Sequence, residues 1–172
     1  MKFDEWLGTL LKQSPHEIRR LLDDSAAQEF LIAWSLFEAK CFDGFVKIDG
    51  VESFAKRVVE QGADSPSLDL ALSHFHQRYQ DIERYRQLMH GQSSSKMDAL
   101  IKKELALFQP WERLFFLAIV AYRFRNNMFH GNKGVVSWLH YSEQIRLCTA
   151  TIGRFVSHAE EIRPSLPERQ VA

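Results

Sequence analysis

From Trp111 to Phe129 the chain places Leu114, Phe115, Phe116, Leu117, Ile119, Val120, Phe124, Met128 and Phe129 around most of the circumference of one helix, with neither glycine nor proline inside. A helix that is apolar nearly all round must be buried by a core, or by a core and a partner together. Its unbroken apolar run, Leu114 to Tyr122, is nine residues between Arg113 and Arg123, far short of the ~20 that cross a bilayer. The remainder of a 172-residue chain is therefore expected to wrap around this segment as one domain with one core.

The flanking sequence supplies helices to do so. Residues 3–12 form a short amphipathic segment. Ser14-Pro15-His16-Glu17 combines an N-cap serine, a first-turn proline and a glutamate three residues after the cap, which opens a helix through Leu22. A strong helix is expected over 26–42, with Phe30, Leu31, Trp34, Phe37, Glu38 and Cys41 on one face. Phe45-Val46-Lys47-Ile48 is the one strand-like piece. Helices follow over 51–61, from Ser65-Pro66 to about Met89, from Ser95 (capped with Asp98) to before Pro110, over 111–130, and over about 135–162. The expected architecture is a single all-α bundle over residues 1–163, with 164–172 as a disordered tail.

Composition narrows the function classes. Lys plus Arg and Asp plus Glu are both 22, so a nucleic-acid contact must come from a local patch, not from bulk charge. Cys41 and Cys148 lie far apart in apolar helical contexts and read as buried free thiols, not as a disulfide or a nucleophile. Asp4 and Glu5 occupy the place where a signal peptide needs an apolar core, so a cytoplasmic protein without a membrane partner is expected. His74 and His76 are two apart and point to different sides of a helix, which suits no metal site. No glycine-rich phosphate loop and no paired-carboxylate motif is present, and no cofactor is expected. The stretch 77–86 alternates charge like a solvated helix face.

The informative polar residues end the apolar helix. Arg123, Arg125, Asn126, Asn127 and His130 crowd its last turns before Gly131, where they must border a cleft, an edge or an interface. No Asp or Glu occurs between Glu112 and Glu143, while Arg113, Arg123, Arg125 and Lys133 fall inside. This electropositive island suits an anion, and phosphate is the commonest. On an ideal helix Arg123 and His130 lie within about 20° of each other, with Asn126 and Asn127 beside them, whereas Arg125 lies about 140° from His130. Ala118 and Ala121 on the side of Arg125 would let another helix approach closely.

Arg125-Asn126-Asn127-Met128-Phe129-His130 resembles the arginine, four residues, histidine motif of the HEPN superfamily, in which the residue after the arginine is commonly polar. Arg123, separated from His130 by six residues, would fit that family's longer spacing; Arg125 is preferred because Asn126 follows it. The resemblance implies an α-helical domain that forms a homodimer with two motifs facing one cleft. It also implies cleavage of RNA without a metal, as a toxin or defence effector, or an inactive relative that binds RNA or protein. An antitoxin or a regulatory protein is the expected further partner. In one branch of the family a tyrosine two residues after the histidine is modified by a nucleotidyltransferase antitoxin; Asn132 stands there in this chain, so that regulation is not implied.

The chemistry agrees with these residue types. Histidine, with an ordinary pKa of about 6.5, exchanges protons at neutral pH as base or acid. Arginine offers a forked, permanent cation to phosphate oxygens as negative charge builds. The roles expected are His130 as acid/base, Arg125 as phosphate stabiliser, Asn126 as orienter, and Arg123, Asn127 and Lys133 as contacts to RNA. Glu38 is a weaker candidate for an acidic helper; an ordinary salt bridge or cap partner is the plainer role for it. For Arg125 and His130 the plain alternative is a pair of helix-terminal cations stabilised by the helix dipole.

Overall fold

The computed structural model describes residues 2–62, 68–129 and 134–162, and among these every regular element is helical. In chain order the helices are α1 Phe3–Leu11, α2 Pro15–Asp23, α3 Ala26–Cys41, α4 Val51–Glu60, α5 Asp69–Tyr79, α6 Ile82–Met89, α7 Ser95–Lys102, α8 Pro110–Phe129, α9 Ser137–His140 and α10 Ser142–Ile162. Short 3₁₀ turns at Ile48–Gly50 and Leu105–Leu107 join neighbours. The all-α class follows as expected. The Ser65-Pro66 helix start and the tail 164–172 lie outside the described residues.

The apolar helix, α8, is the central one: every residue from Leu114 to Ala121 is buried. Helices α4, α5, α6 and α10 pack around it. α3 lies parallel to α10 along most of its length. Near their N-terminal ends Arg146 Nη2 reaches Asp24 Oδ1 at 3.0 Å, and near their C-terminal ends Lys40 Nζ meets Glu160 at 3.1 Å. Between α3, α4 and α10, Phe37, Phe42, Phe54 and Phe155 form an aromatic cluster with ring centroids 4.8–5.8 Å apart. Cys41 and Cys148 are free and buried within the core, and burial pushes the Cys41 thiol up to about 12.

Four elements depart from the sequence expectation. The long helix expected up to Met89 breaks at Gln80–Asp81, because the Asp81 carboxylate accepts from the backbone N–H groups of Glu83 and Arg84 at 3.0 and 3.1 Å and starts α6 afresh. The helix starting near Ser95 is capped by Ser94, whose Oγ accepts from Met97 N, and it ends at Lys102. The last long helix is divided at Tyr141 into α9 and α10. The strand-like piece 45–48 is loop running into a 3₁₀ turn.

The cap at Ser14 forms as expected: Ser14 Oγ accepts from Glu17 N, while the Glu17 carboxylate accepts from Ser14 N at 3.0 Å and from Ser14 Oγ at 2.7 Å. Those bonds hold the Glu17 carboxyl below its usual range. At the other end of α6, His90 and Gly91 adopt φ of 47° and 74°, the left-handed pair that stops the helix where the sequence suggested.

Candidate functional site

The C-terminal turns of α8 carry the motif, and neighbouring helices sort its residues to different sides. His130, Gly131, Asn132 and Lys133 lie outside the described residues. Arg125 is half-buried. Its guanidinium carbon stands 6.0 Å from the Trp34 ring centroid and 5.6 Å from that of Phe129, and its Nη1 donates to Asn126 Oδ1 at 3.2 Å. Among the described residues no carboxylate lies within ion-pair distance of Arg125. Trp34 owes its place to α3: with Phe30, Phe37 and Cys41 it forms the buried stripe at spacings of three and four. Its ring meets Tyr122 at 6.1 Å, which sets α3 against α8 beside Arg125.

Arg125 and Asn126 are therefore brought together, on the α3 side of α8. A cation over aromatic rings keeps its orientation without having its charge neutralised.

Arg123 and Asn127 occupy another side of the helix, toward α6, and both are buried. Asn127 Nδ2 donates to the carbonyls of Leu88 at 3.0 Å and Gln87 at 3.4 Å. These belong to the last turn of α6, whose carbonyls have no partners within that helix. Asn127, expected as an RNA contact, thus joins α8 to α6. Arg123 has a buried Nε without a hydrogen-bond partner among the described residues, and its guanidinium carbon lies 5.7 Å from the Tyr122 centroid. Burial pulls its pKa below the ordinary arginine value, opposed by the phenols of Tyr122 and Tyr85. Nearby, burial and a 2.7 Å bond to Asp98 push the Tyr85 hydroxyl pKa upward.

Glu38, in the last turn of α3, holds the loop that leaves the helix. Its carbonyl accepts from Phe42 N and Gly44 N at 3.2 and 2.8 Å, and its Oε1 accepts from Val46 N at 3.4 Å. Gly44 has φ of 107°, a left-handed position that suits glycine. Glu38 thus orders a turn, and no ion pair joins it to Arg125 among the described residues.

His74 and His76 diverge as their spacing requires. His74 meets Gln144 of α10 at 3.3 Å, and His76 lies 3.0 Å from the Lys103 carbonyl. Among the described residues no group of three or more His, Cys, Asp and Glu side chains could hold a metal ion, and no helix is long and apolar enough to cross a membrane.

Sequence reasoning missed the part played by Trp34, which read as core packing alone. Its contact with Arg125 joins residues from two helices far apart in the chain, and no spacing rule within either helix reveals it. Compared with protein-family models, with curated proteins and with solved structures, the chain matches none.

Proposed function

We propose that this protein is a metal-independent endoribonuclease of HEPN type, a toxin or defence effector that acts as a homodimer. Arg125 carries the reading: a half-buried guanidinium held over Trp34 and Phe129, bonded to Asn126 and without a carboxylate partner among the described residues. An arginine so held is prepared for an incoming anion, and a phosphodiester supplies one. His130 takes the 2′-hydroxyl proton, the oxygen attacks the adjacent phosphorus, and the 5′-oxygen leaves with a proton from a second acid. In a symmetric dimer that acid is His130 of the other copy. The products carry a 2′,3′-cyclic phosphate and a 5′-hydroxyl. Arg125 offsets the charge that builds on the phosphorane oxygens, and Asn126 orients Arg125.

The outward face of α3 supports self-association. Leu31, Ile32 and Leu36 are 45%, 54% and 42% exposed, and the exposed residues from Leu31 to Ala39 carry no charge. An uncharged stripe on one helix suits an isologous contact between two copies.

The test is incubation of the protein and its His130→Ala variant with total RNA and transfer RNA in EDTA. Cleavage by the parent alone, with cyclic-phosphate ends, is expected. Undiminished cleavage by His130→Ala overturns the mechanism. The second reading is a silent HEPN-like module that binds RNA or protein, favoured by the aromatic packing of Arg125, which would also serve a purely structural cation. Absence of cleavage by both proteins would select it.

A further inference from the structure

A narrow notch opens beside the last turns of α8, between α5, α6 and the start of α10. Arg78, Arg84, Gln87 and Tyr141 line it, with Asn127 at its α8 wall, and no Asp or Glu is among its lining residues. Arg78 is half-buried. Its guanidinium carbon lies 5.8 Å from the Tyr141 ring centroid, and no carboxylate lies within ion-pair distance of it among the described residues. Arg84 is exposed and shares its charge with Asp81, Nε to Oδ2 at 3.5 Å, a pairing that a more highly charged anion can displace. The Asp81 cap that breaks the helix between α5 and α6 starts the turn from which Arg84 and Gln87 reach the notch.

The recess thus brings together two guanidinium groups and an amide donor, with one carboxylate, Asp81, at its edge. Guanidinium forks and an amide N–H₂ are the donor types that bind phosphate oxygens. The recess lies on the Asn127 side of α8, away from the Arg125 fork.

We propose that this notch is a phosphate-binding subsite, filled by a backbone phosphate of single-stranded RNA or by the phosphate of a free nucleotide. The RNA arm rests on the function proposed above; the phosphate chemistry stands without cleavage.

Binding is measured in the full chain carrying His130→Ala, so that RNA stays intact, with EDTA present. The probes are a fluorescein-labelled single-stranded RNA read by anisotropy across a salt series, and inorganic phosphate and AMP read by phosphorus NMR line broadening. Arg78→Gln with Arg84→Gln is expected to weaken binding roughly tenfold and to make the salt dependence shallower by about one to two contacts. Arg154→Gln, an exposed charge on α10, is the control and should leave binding unchanged. Arg84→Gln alone, at an exposed position, should give part of the loss without any effect on folding. Loss for RNA alone assigns the subsite to the polymer, and loss for phosphate and AMP alone assigns it to a small nucleotide. Binding by the double variant equal to the Arg154→Gln control, or no binding of any probe by the parent, overturns the proposal. Failure of RNA cleavage by the wild-type chain, with binding lost in the double variant, would overturn the nuclease and leave the subsite standing.

Discussion

Arg125 lies over Trp34, guanidinium carbon to ring centroid 6.0 Å, and through this pair α3 supports the motif arginine, which, like Arg123, has no carboxylate partner among the described residues. The contact is between residues more than eighty positions apart in sequence, so the arrangement of the bundle and the placement of the cation are one event.

Trp34 itself is 3% exposed, and its Nε1 has no hydrogen-bond partner among the described residues. Trp34→Phe keeps an aromatic face against Arg125, Phe37 and Tyr122 while removing the buried orphan donor, so its cost should stay within about 1 kcal/mol. Trp34→Ala empties the site and should cost about 3–5 kcal/mol. Urea denaturation of both variants checks this; equal losses would mean that the indole N–H holds an important bond.

Asn127 ties α8 to the end of α6. Asn127→Ala leaves the Leu88 and Gln87 carbonyls without that donor and should destabilise the fold by about 1–3 kcal/mol. Because its Nδ2 is committed to those carbonyls, RNA affinity of the folded variant should fall much less than in Arg78→Gln with Arg84→Gln. A fall as large as in that double variant, at constant stability, would instead make Asn127 a direct RNA contact.

Asp24 joins the α2–α3 junction to α10, accepting from Ala26 N at 2.8 Å, Ser142 Oγ at 2.8 Å and Arg146 at 3.0 Å. Burial pushes its carboxyl up, but the bonds from Ala26 and Ser142 and the charge of Arg146 outweigh this and hold it below its ordinary value. A carboxyl lowered in the folded state contributes stability that is present above the unfolded pKa of about 3.9 and lost as pH falls through the folded value. Asp24→Asn should therefore cost about 1–2 kcal/mol at neutral pH. Thermal melts from neutral pH into acid should show the gap between the two proteins closing below the unfolded value.

The exposed stripe on α3 gives the dimer its own test. Leu31→Asp with Leu36→Asp places two like charges on each side of a self-contact and should halve the mass seen by light scattering, from twice the 20.1 kDa chain mass to one chain. Because both side chains point outward, stability of the monomer should change by only about 0.5 kcal/mol per site. A parent protein that is already monomeric at micromolar concentration removes the two-histidine mechanism.

Much of the bundle was legible before any coordinates. The apolar circumference of 111–129 required a central helix, and α8 is that helix. The Ser14 capping box and the His90-Gly91 stop are local devices, complete within four residues, so they read directly from the chain. Asp81 shows where local reading failed: inside a charged run it looked like one more solvated acid, whereas it caps α6 and divides a long helix in two. Both outcomes suit an aspartate, and packing of α6 across α8 decides between them.

The amino-acid sequence alone determined the helical class, the central place of α8 and the crowding of Arg123, Arg125, Asn126 and Asn127 at its end, because hydrophobic period and capping act over a few residues. Tertiary structure alone decided which of these polar groups turn inward. Arg123 and Asn127 face α6 and are buried, and Arg125 rests on Trp34, bonded to Asn126. The notch of Arg78, Arg84 and Tyr141 likewise exists only once α5, α6 and α10 meet. The physical reason is that a helix end has several sides, and only its neighbours in space decide which side each polar group must satisfy.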